Sequence, residues 1–308
     1  MERLLQQTFE PGKNEWKPLR LLGGFSSIHQ KDAYIEMVEK AKRRIRQGDV
    51  AQIVLTNGKK ARAEGNLIDT FDILRKTDPT RYMCYFSSED VEAAMASPEP
   101  IARLQGGTVM TERLAGSCAR GATPEEDRAR EEALRADPKA VDEHNMLVDD
   151  SRNEFGYISK IGTVAVSGYL NVVRCSRVMH LATTVTGTLK EGMTALDVIG
   201  AIVPSGAVSG APKIRSCEVI NEIERERRGI YGAAFGYTGL DGDADFFVFI
   251  RSAFLKDGEL VVRAGGGIVI DSVPEEEYNE CMLKAEAVLG AIRLATEGKE
   301  NDSPDRQL

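Results

Sequence analysis

Pro204-Ser205-Gly206-Ala207-Val208-Ser209-Gly210-Ala211-Pro212-Lys213 packs two glycines, two prolines, four small residues and a lysine into ten positions. Gly and Pro both interrupt helices, so the stretch reads as a turn, and its glycines allow the backbone to approach a ligand or another element closely. Residues 194–202 before it and 214–227 after it have helical periodicity. Downstream lie three strand candidates in series, 232–238, 245–255 and 259–265, and then a long closing helix, 274–295. Upstream, 163–173 alternates as a strand, and 180–189 carries the β-branched run Thr183-Thr184-Val185-Thr186 of another. Residues 124–136 and 138–151 read as helices with charged, solvated faces. Nearer the start, 81–87, 91–96 and 50–55 read as strands and 67–76 as a helix. Residues 31–47 form an amphipathic helix on Tyr34, Met37, Val38, Ala41 and Ile45. Strands, then helices, then consecutive strands predict an α+β fold rather than a βαβ repeat. With no internal repeat or Gly/Ser linker, one domain over 31–296 is expected, flanked by an extension at 1–30 and a polar, disordered tail at 297–308.

The 308 residues are 42% hydrophobic and 29% charged, enough for a substantial core. A net charge of −8 argues against nucleic acid as a partner. A small anionic ligand would need a locally positive pocket. No apolar run is long enough to span a membrane, and the first residues lack a signal peptide's apolar centre. Five scattered cysteines, odd in number and without Cys-x-x-Cys spacing, suit a reduced, cytoplasmic protein. The three histidines form no zinc pattern with them.

Ser209-Gly210-Ala211-Pro212-Lys213 resembles the signature of the chorismate-binding enzymes. Two further segments strengthen the resemblance. Glu143-His144-Asn145-Met146-Leu147-Val148-Asp149, followed by Arg152-Asn153, resembles one metal-ligand segment of that family, and Glu280-Cys281-Met282-Leu283-Lys284 resembles the other. The resemblance runs over about residues 30–295, the family's catalytic part. It implies an antiparallel, sandwich-like β core with helices packed outside and the usual N-terminal part missing. It also implies Mg²⁺ held by Glu143 and Glu280, with a substrate carboxylate completing the shell and Glu277 supporting through water. A hard cation of this kind takes carboxylate oxygens and keeps water and substrate oxygens. Ala140 stands where relatives often carry another carboxylate.

Arg251, in Phe247-Val248-Phe249-Ile250-Arg251-Ser252, resembles the family's Ile-Arg-x-Ala and is implied to grip a carboxylate through its fork. Gly265-Gly266-Gly267 is implied to offer backbone N–H groups to a second carboxylate, with Lys284 adding positive charge and Tyr237 a hydrogen bond. His180 is the acid implied for a leaving hydroxyl, since histidine titrates near neutrality. Glu99, in Ser97-Pro98-Glu99, is a second proton-transfer candidate.

Gln52 occupies the catalytic position where isochorismate- and salicylate-forming relatives use a lysine to activate water, and Gln cannot act as that base. Ala115, in Arg113-Leu114-Ala115-Gly116-Ser117, stands where aminodeoxychorismate-forming relatives have a lysine nucleophile, so covalent catalysis there is absent. Both choices resemble anthranilate synthase component I. That branch implies amination of chorismate with ammonia from a glutamine amidotransferase partner, loss of the C4 hydroxyl, and elimination of pyruvate to give anthranilate. Ser117, Cys118 and Ala207 replace the usual Thr, Arg and Thr near the substrate, and Asn145 replaces an apolar residue. These departures leave open an aminodeoxyisochorismate- or isochorismate-type enzyme on chorismate or a modified form. A non-catalytic or split subunit is the third alternative. The short segment at 1–30 predicts no tryptophan inhibition through an N-terminal site, and a partner chain or homo-oligomer over exposed sheet edges.

Overall fold

Two antiparallel sheets organise the chain in this computed structural model, which describes residues 17–174 and 178–297. The first half of the N-terminal extension, Cys175 and all but the first residue of the polar tail lie outside the described residues. The larger sheet contains β1 (Arg20–Leu21), β2 (Ser26–Ser27), β3 (Gln52–Glu64), β4 (Tyr82–Ser87) and β5 (Glu92–Ser97). The chain then builds the smaller sheet from β6 (Pro100–Gln105), β7 (Thr108–Ala119), β8 (Ala165–Arg174) and β9 (Val178–Thr188). β10 (Gly210–Ala211) returns to the larger sheet, β11 (Ala234–Thr238) and β12 (Ala244–Val248) to the smaller one, and β13 (Ser252–Lys256) and β14 (Glu259–Ile268) to the larger again. The strand order is β1-β3-β14-β13-β5-β4, with β2 and β10 also pairing β3, and β11-β12-β6-β7-β9-β8 in the second sheet.

Helices cover both sheets because their apolar stripes have nowhere else to go. On the larger sheet, α1 (Lys31–Arg46), α2 (Ile68–Thr77) and the closing helix Pro274–Glu297 bury Tyr34, Val38, Leu74, Val288 and Ile292 against Leu55, Ala253 and Val262. A charged helix, α3 (Pro124–Ala136), precedes α4 (Pro138–Ile158). On the smaller sheet, α4 and α5 (Ala195–Ile202) bury Phe155, Val198 and Ile202 with Ile101, Val109 and Val185. The two sheets meet through Ala93, Met95, Phe247 and Phe249, with Tyr82 stacked on Phe247 at 4.6 Å. The remaining helices are α6 (Gly206–Ser209) and α7 (Lys213–Glu224), so the closing helix is α8. Among the described residues no helix is long and apolar enough to cross a membrane.

Four differences from the sequence reading have physical causes. β3 continues past Leu55 to Glu64, paired with β14 as far as Arg62 and with β1 at Ala63 and Glu64; Thr56 and Asn57 are buried polar residues that break the alternation by which a strand is read. β6 and β7 form a hairpin turned by Gly106-Gly107, both with positive φ, in a region read without strands. α7 ends at Glu224, where Arg225 turns left-handed (φ 53°), three residues before the expected end. The expected single strand 245–255 is two strands in different sheets. Arg251 has φ 48°, and the chain crosses between sheets over Phe249-Ile250-Arg251. The run looks continuous in sequence because Phe249 on the crossover is as buried as the strand residues beside it.

A second crossover, from β5 to β6 through Pro98-Glu99, lies against the first. Ala96 N–H donates to Arg251 O at 3.1 Å, Val248 N–H to Glu99 O at 3.0 Å, and Ser97 Oγ to Val248 O at 2.6 Å. Glu99 and Arg251 are thereby carried at one stitched corner between the sheets.

Candidate functional site

Beside that corner runs an unpaired edge of β14. Its pairing with β13 ends at Ser252↔Arg263, whereas its pairing with β3 continues through Gly265↔Thr56 to Ile268↔Ile53. Gly265, Gly266 and Gly267 therefore keep one backbone edge that no described strand covers. Their missing side chains are required by close neighbours. A Cβ on Gly267 would lie 2.3 Å from Gln52 Nε2, one on Gly266 3.3 Å from Glu277 Oε2, and one on Gly265 2.9 Å from the Tyr231 hydroxyl. Lys284, one turn along α8 from Glu280, donates to Gly265 O at 3.2 Å and pairs with Glu280 at 2.7 Å. The glycines, Gln52, Glu277, Glu280 and Lys284 thus form one surface.

Glu143 on α4 faces the same surface. Burial raises its carboxyl above the usual range, Lys139 partly offsets this, and the charge of Glu280 raises it further. Glu277 is also raised, first by burial, with a Ser272 hydrogen bond opposing and Glu280 adding to the rise. Buried carboxyls whose proton affinity is raised further by a neighbouring negative charge also attract a dication. Among the described residues no group of three or more His, Cys, Asp or Glu side chains could hold a metal. Glu143 and Glu280 fit an Mg²⁺ that takes its remaining oxygens from water and a ligand, as this ion commonly does. Ala140 is buried against Gly116, at 3.0 Å from where a glycine Cβ would stand.

His180 sits on β9 opposite Ser117 of β7, next to a bulge at Gly116, whose φ is 69°. Burial pushes the imidazole below its ordinary pKa, the Arg251 charge lowers it further, and a hydrogen bond with the Gly116 backbone partly opposes both. Arg251 is partly exposed, with Asp78 3.9 Å away. Glu99, its side chain 18% exposed, is pushed up by burial and held back by the charges of Arg113 and Lys284. His180, Ser117, Arg251, Glu99 and Lys284 are linked in this way across the corner.

The Gly/Pro-rich stretch is more than a turn. After Val203, which ends α5, it forms α6, pairs as β10 with Gln52 and Ile53, and starts α7; its two prolines follow cis peptide bonds. Gly210 has φ 129°, and a Cβ there would lie 2.3 Å from Gln52 O. Lys213 is structural: it ion-pairs with Glu154 and donates to Ile202 O at 2.7 Å and Ala201 O at 3.4 Å, capping α5. Ala207 is half-buried on α6, whose Gly206 abuts the Asp150 carboxylate. Tyr237 stands apart on edge strand β11. Its register partner is Asp245, three rungs from the Ala234↔Val248 pair nearest the corner, and it is 68% exposed.

Sequence reading assigned no role to Arg113, Glu154 or Tyr231. Arg113 is 2% exposed and joins Glu154 at 3.2 Å. The only signal was its spacing from Val109 and Thr111 on an unread strand. His144 of the metal segment is fully buried, its Nε2 2.6 Å from Thr183 Oγ1, and so anchors α4 to β9.

The sequence pattern of the chorismate binding enzyme family matches residues 4–290. The chain is 43% identical over 291 residues to anthranilate synthase component 1 of Aquifex aeolicus, covering 94% of this chain and 57% of that relative. It therefore spans under three-fifths of that relative's length. Among solved structures it resembles anthranilate synthase component I of Streptococcus pneumoniae TIGR4, with a TM-score of 0.82, 37% identity, and coverage of 93% of this chain and 64% of that one. The menaquinone-specific isochorismate synthase of Escherichia coli shares the fold, with a TM-score of 0.80 at 22% identity, over 94% of this chain and 67% of that one.

Proposed function

Because this chain belongs to the chorismate-binding enzyme family, we propose that it aminates chorismate with ammonia and eliminates pyruvate to give anthranilate. The observation that carries the reading is the stitched corner: Glu99 and Arg251 lie on adjacent crossovers, and Glu99 and His180 respond to the charges of Lys284 and Arg251 respectively. A dianionic substrate needs positive charge and free donors at two points. Arg251 supplies one through its fork, and the unpaired glycine edge with Lys284 supplies the other. Mg²⁺ bound by Glu143 and Glu280 would neutralise the ring carboxylate and assist departure of the C4 hydroxyl.

His180 then donates a proton to the leaving hydroxyl. Free of ligand it favours the neutral form, because burial and the Arg251 charge both oppose imidazolium. A substrate carboxylate on Arg251 cancels that charge and raises the proton affinity of His180 when the proton is needed. Glu99 accepts a proton during loss of pyruvate. Gln52 lies over Gly267 and carries no basic group to activate water. Ammonia, itself nucleophilic, needs no such base and attacks ring C2. A glutamine amidotransferase partner is the proposed ammonia source.

The test is incubation of the pure chain with chorismate, ammonium and Mg²⁺. Anthranilate fluorescence and pyruvate in equal amounts are expected, and glutamine should replace ammonium only when an amidotransferase is added. Unconsumed chorismate would overturn the reading. The hydroxyl absent at Ala207 favours a second one, in which pyruvate is retained and aminodeoxyisochorismate accumulates; a non-aromatic product would establish it.

A further inference from the structure

Arg113 is a full charge on the inward face of β7, in line with Val109 and Thr111. At such depth an uncompensated ion is strongly destabilising. Its guanidinium is instead held by three parts of the chain. Nε donates to Ser151 Oγ and Nη2 to Glu154 Oε2 at 3.2 Å, both on α4. Nη1 lies 3.5 Å from Ser205 Oγ, at the start of α6, and 3.9 Å from Glu99 Oε1 at the crossover. Glu154 is fixed from its other side by Lys213. A planar fork shared among rigid partners holds direction as well as charge.

We infer that Arg113 is a positioning residue for the reaction proposed above, tying Glu99 to Ser205, and so to the short helix that carries Ala207. The inference rests on that reading of the site. Arg113 touches no reacting group and acts through Glu99, which is faced by Arg113 and Lys284 as cations and approached by the Tyr231 hydroxyl. One guanidinium thereby sets the proton-transfer carboxylate and the helix bearing Ala207 relative to each other.

Arg113→Lys keeps the charge and loses the fork. A displaced catalytic group costs up to about 100-fold, so kcat should fall about 10- to 100-fold while KM for chorismate stays within about threefold. Arg113→Met removes the charge, and the acid limb of the kcat profile should move to higher pH because Glu99 then binds its proton more tightly. In a Glu99→Gln background, Arg113→Lys should have no further effect on kcat. Ser151→Ala keeps every charge and frees one arm of the fork, so it should lower kcat by a smaller factor in a folded protein. The inference is overturned if folded Arg113→Lys has wild-type kcat and pH profile, or if its effect multiplies with that of Glu99→Gln. Should the Arg113 variants fail to fold, unchanged kcat in Ser151→Ala overturns it. A wild-type chain that leaves chorismate intact overturns the functional reading instead, and this inference with it.

Discussion

Burial first, and the Arg251 charge second, hold the His180 imidazole below its ordinary pKa, and in the proposed reaction a substrate anion on Arg251 would relieve the second effect. Removing the proton donor should cost about 10²–10⁴ in kcat, so His180→Ala should retain chorismate binding and lose turnover, as steady-state kinetics would register. In Arg251→Gln the positive charge that disfavours imidazolium is gone. The His180 pKa should therefore rise towards, without exceeding, its ordinary value, since burial still lowers it. An NMR titration of the His180 ring reads this directly, and an unchanged midpoint would remove the coupling. His180 and Arg251 were singled out in the sequence through the family resemblance, since residue type alone fits a packed histidine or a sheet-edge arginine as well. The direction of each shift was not legible, because burial and the Arg251 charge exist only once the crossover has formed.

At the level of elements, glycines mark where backbones must nearly touch. Gly210 combines a φ reserved for glycine with a Cβ position 2.3 Å from the Gln52 carbonyl, so neither strain nor clash can relax through a side chain. Gly210→Ala should lower unfolding free energy by roughly 1–3 kcal/mol from backbone strain alone, measurable by urea denaturation. It should also shift Gln52, which β10 pairs directly. Helices with regular apolar spacing, such as α1 and α8, were readable almost to the residue. β6 and β7 were not, since Arg113 and Thr111 occupy inward positions where alternation predicts apolar residues, and the burial of Arg113 depends on partners from α4 and Ser205. The run at 245–255 misled for the opposite reason: apolar throughout, it concealed a change of sheet.

Over the whole molecule, the two proposed metal ligands come from helices packed on different sheets, Glu143 on the smaller and Glu280 on the larger. A ligand bridging them should stabilise the fold as one unit. Mg²⁺ with chorismate at 100 times the dissociation constant should add about 2.7 kcal/mol and raise the thermal midpoint. Glu143→Gln should abolish that rise, and EDTA should reverse it in the wild type. A rise that persists in Glu143→Gln would exclude this carboxylate as a ligand. The amino-acid sequence by itself determined the α+β class and the family, and through the family resemblance it put forward Glu143, His180, Arg251, Glu280 and Lys284 as candidates, because periodicity and motif residues are local properties. Only the tertiary structure decided that Glu99 and Arg251 share a corner, that β14 leaves its glycines with a free edge, that Lys213 is a structural cap, and that Arg113 joins α4, Ser205 and Glu99. These depend on where strands end and sheets cross, which is set by packing between residues distant in the chain.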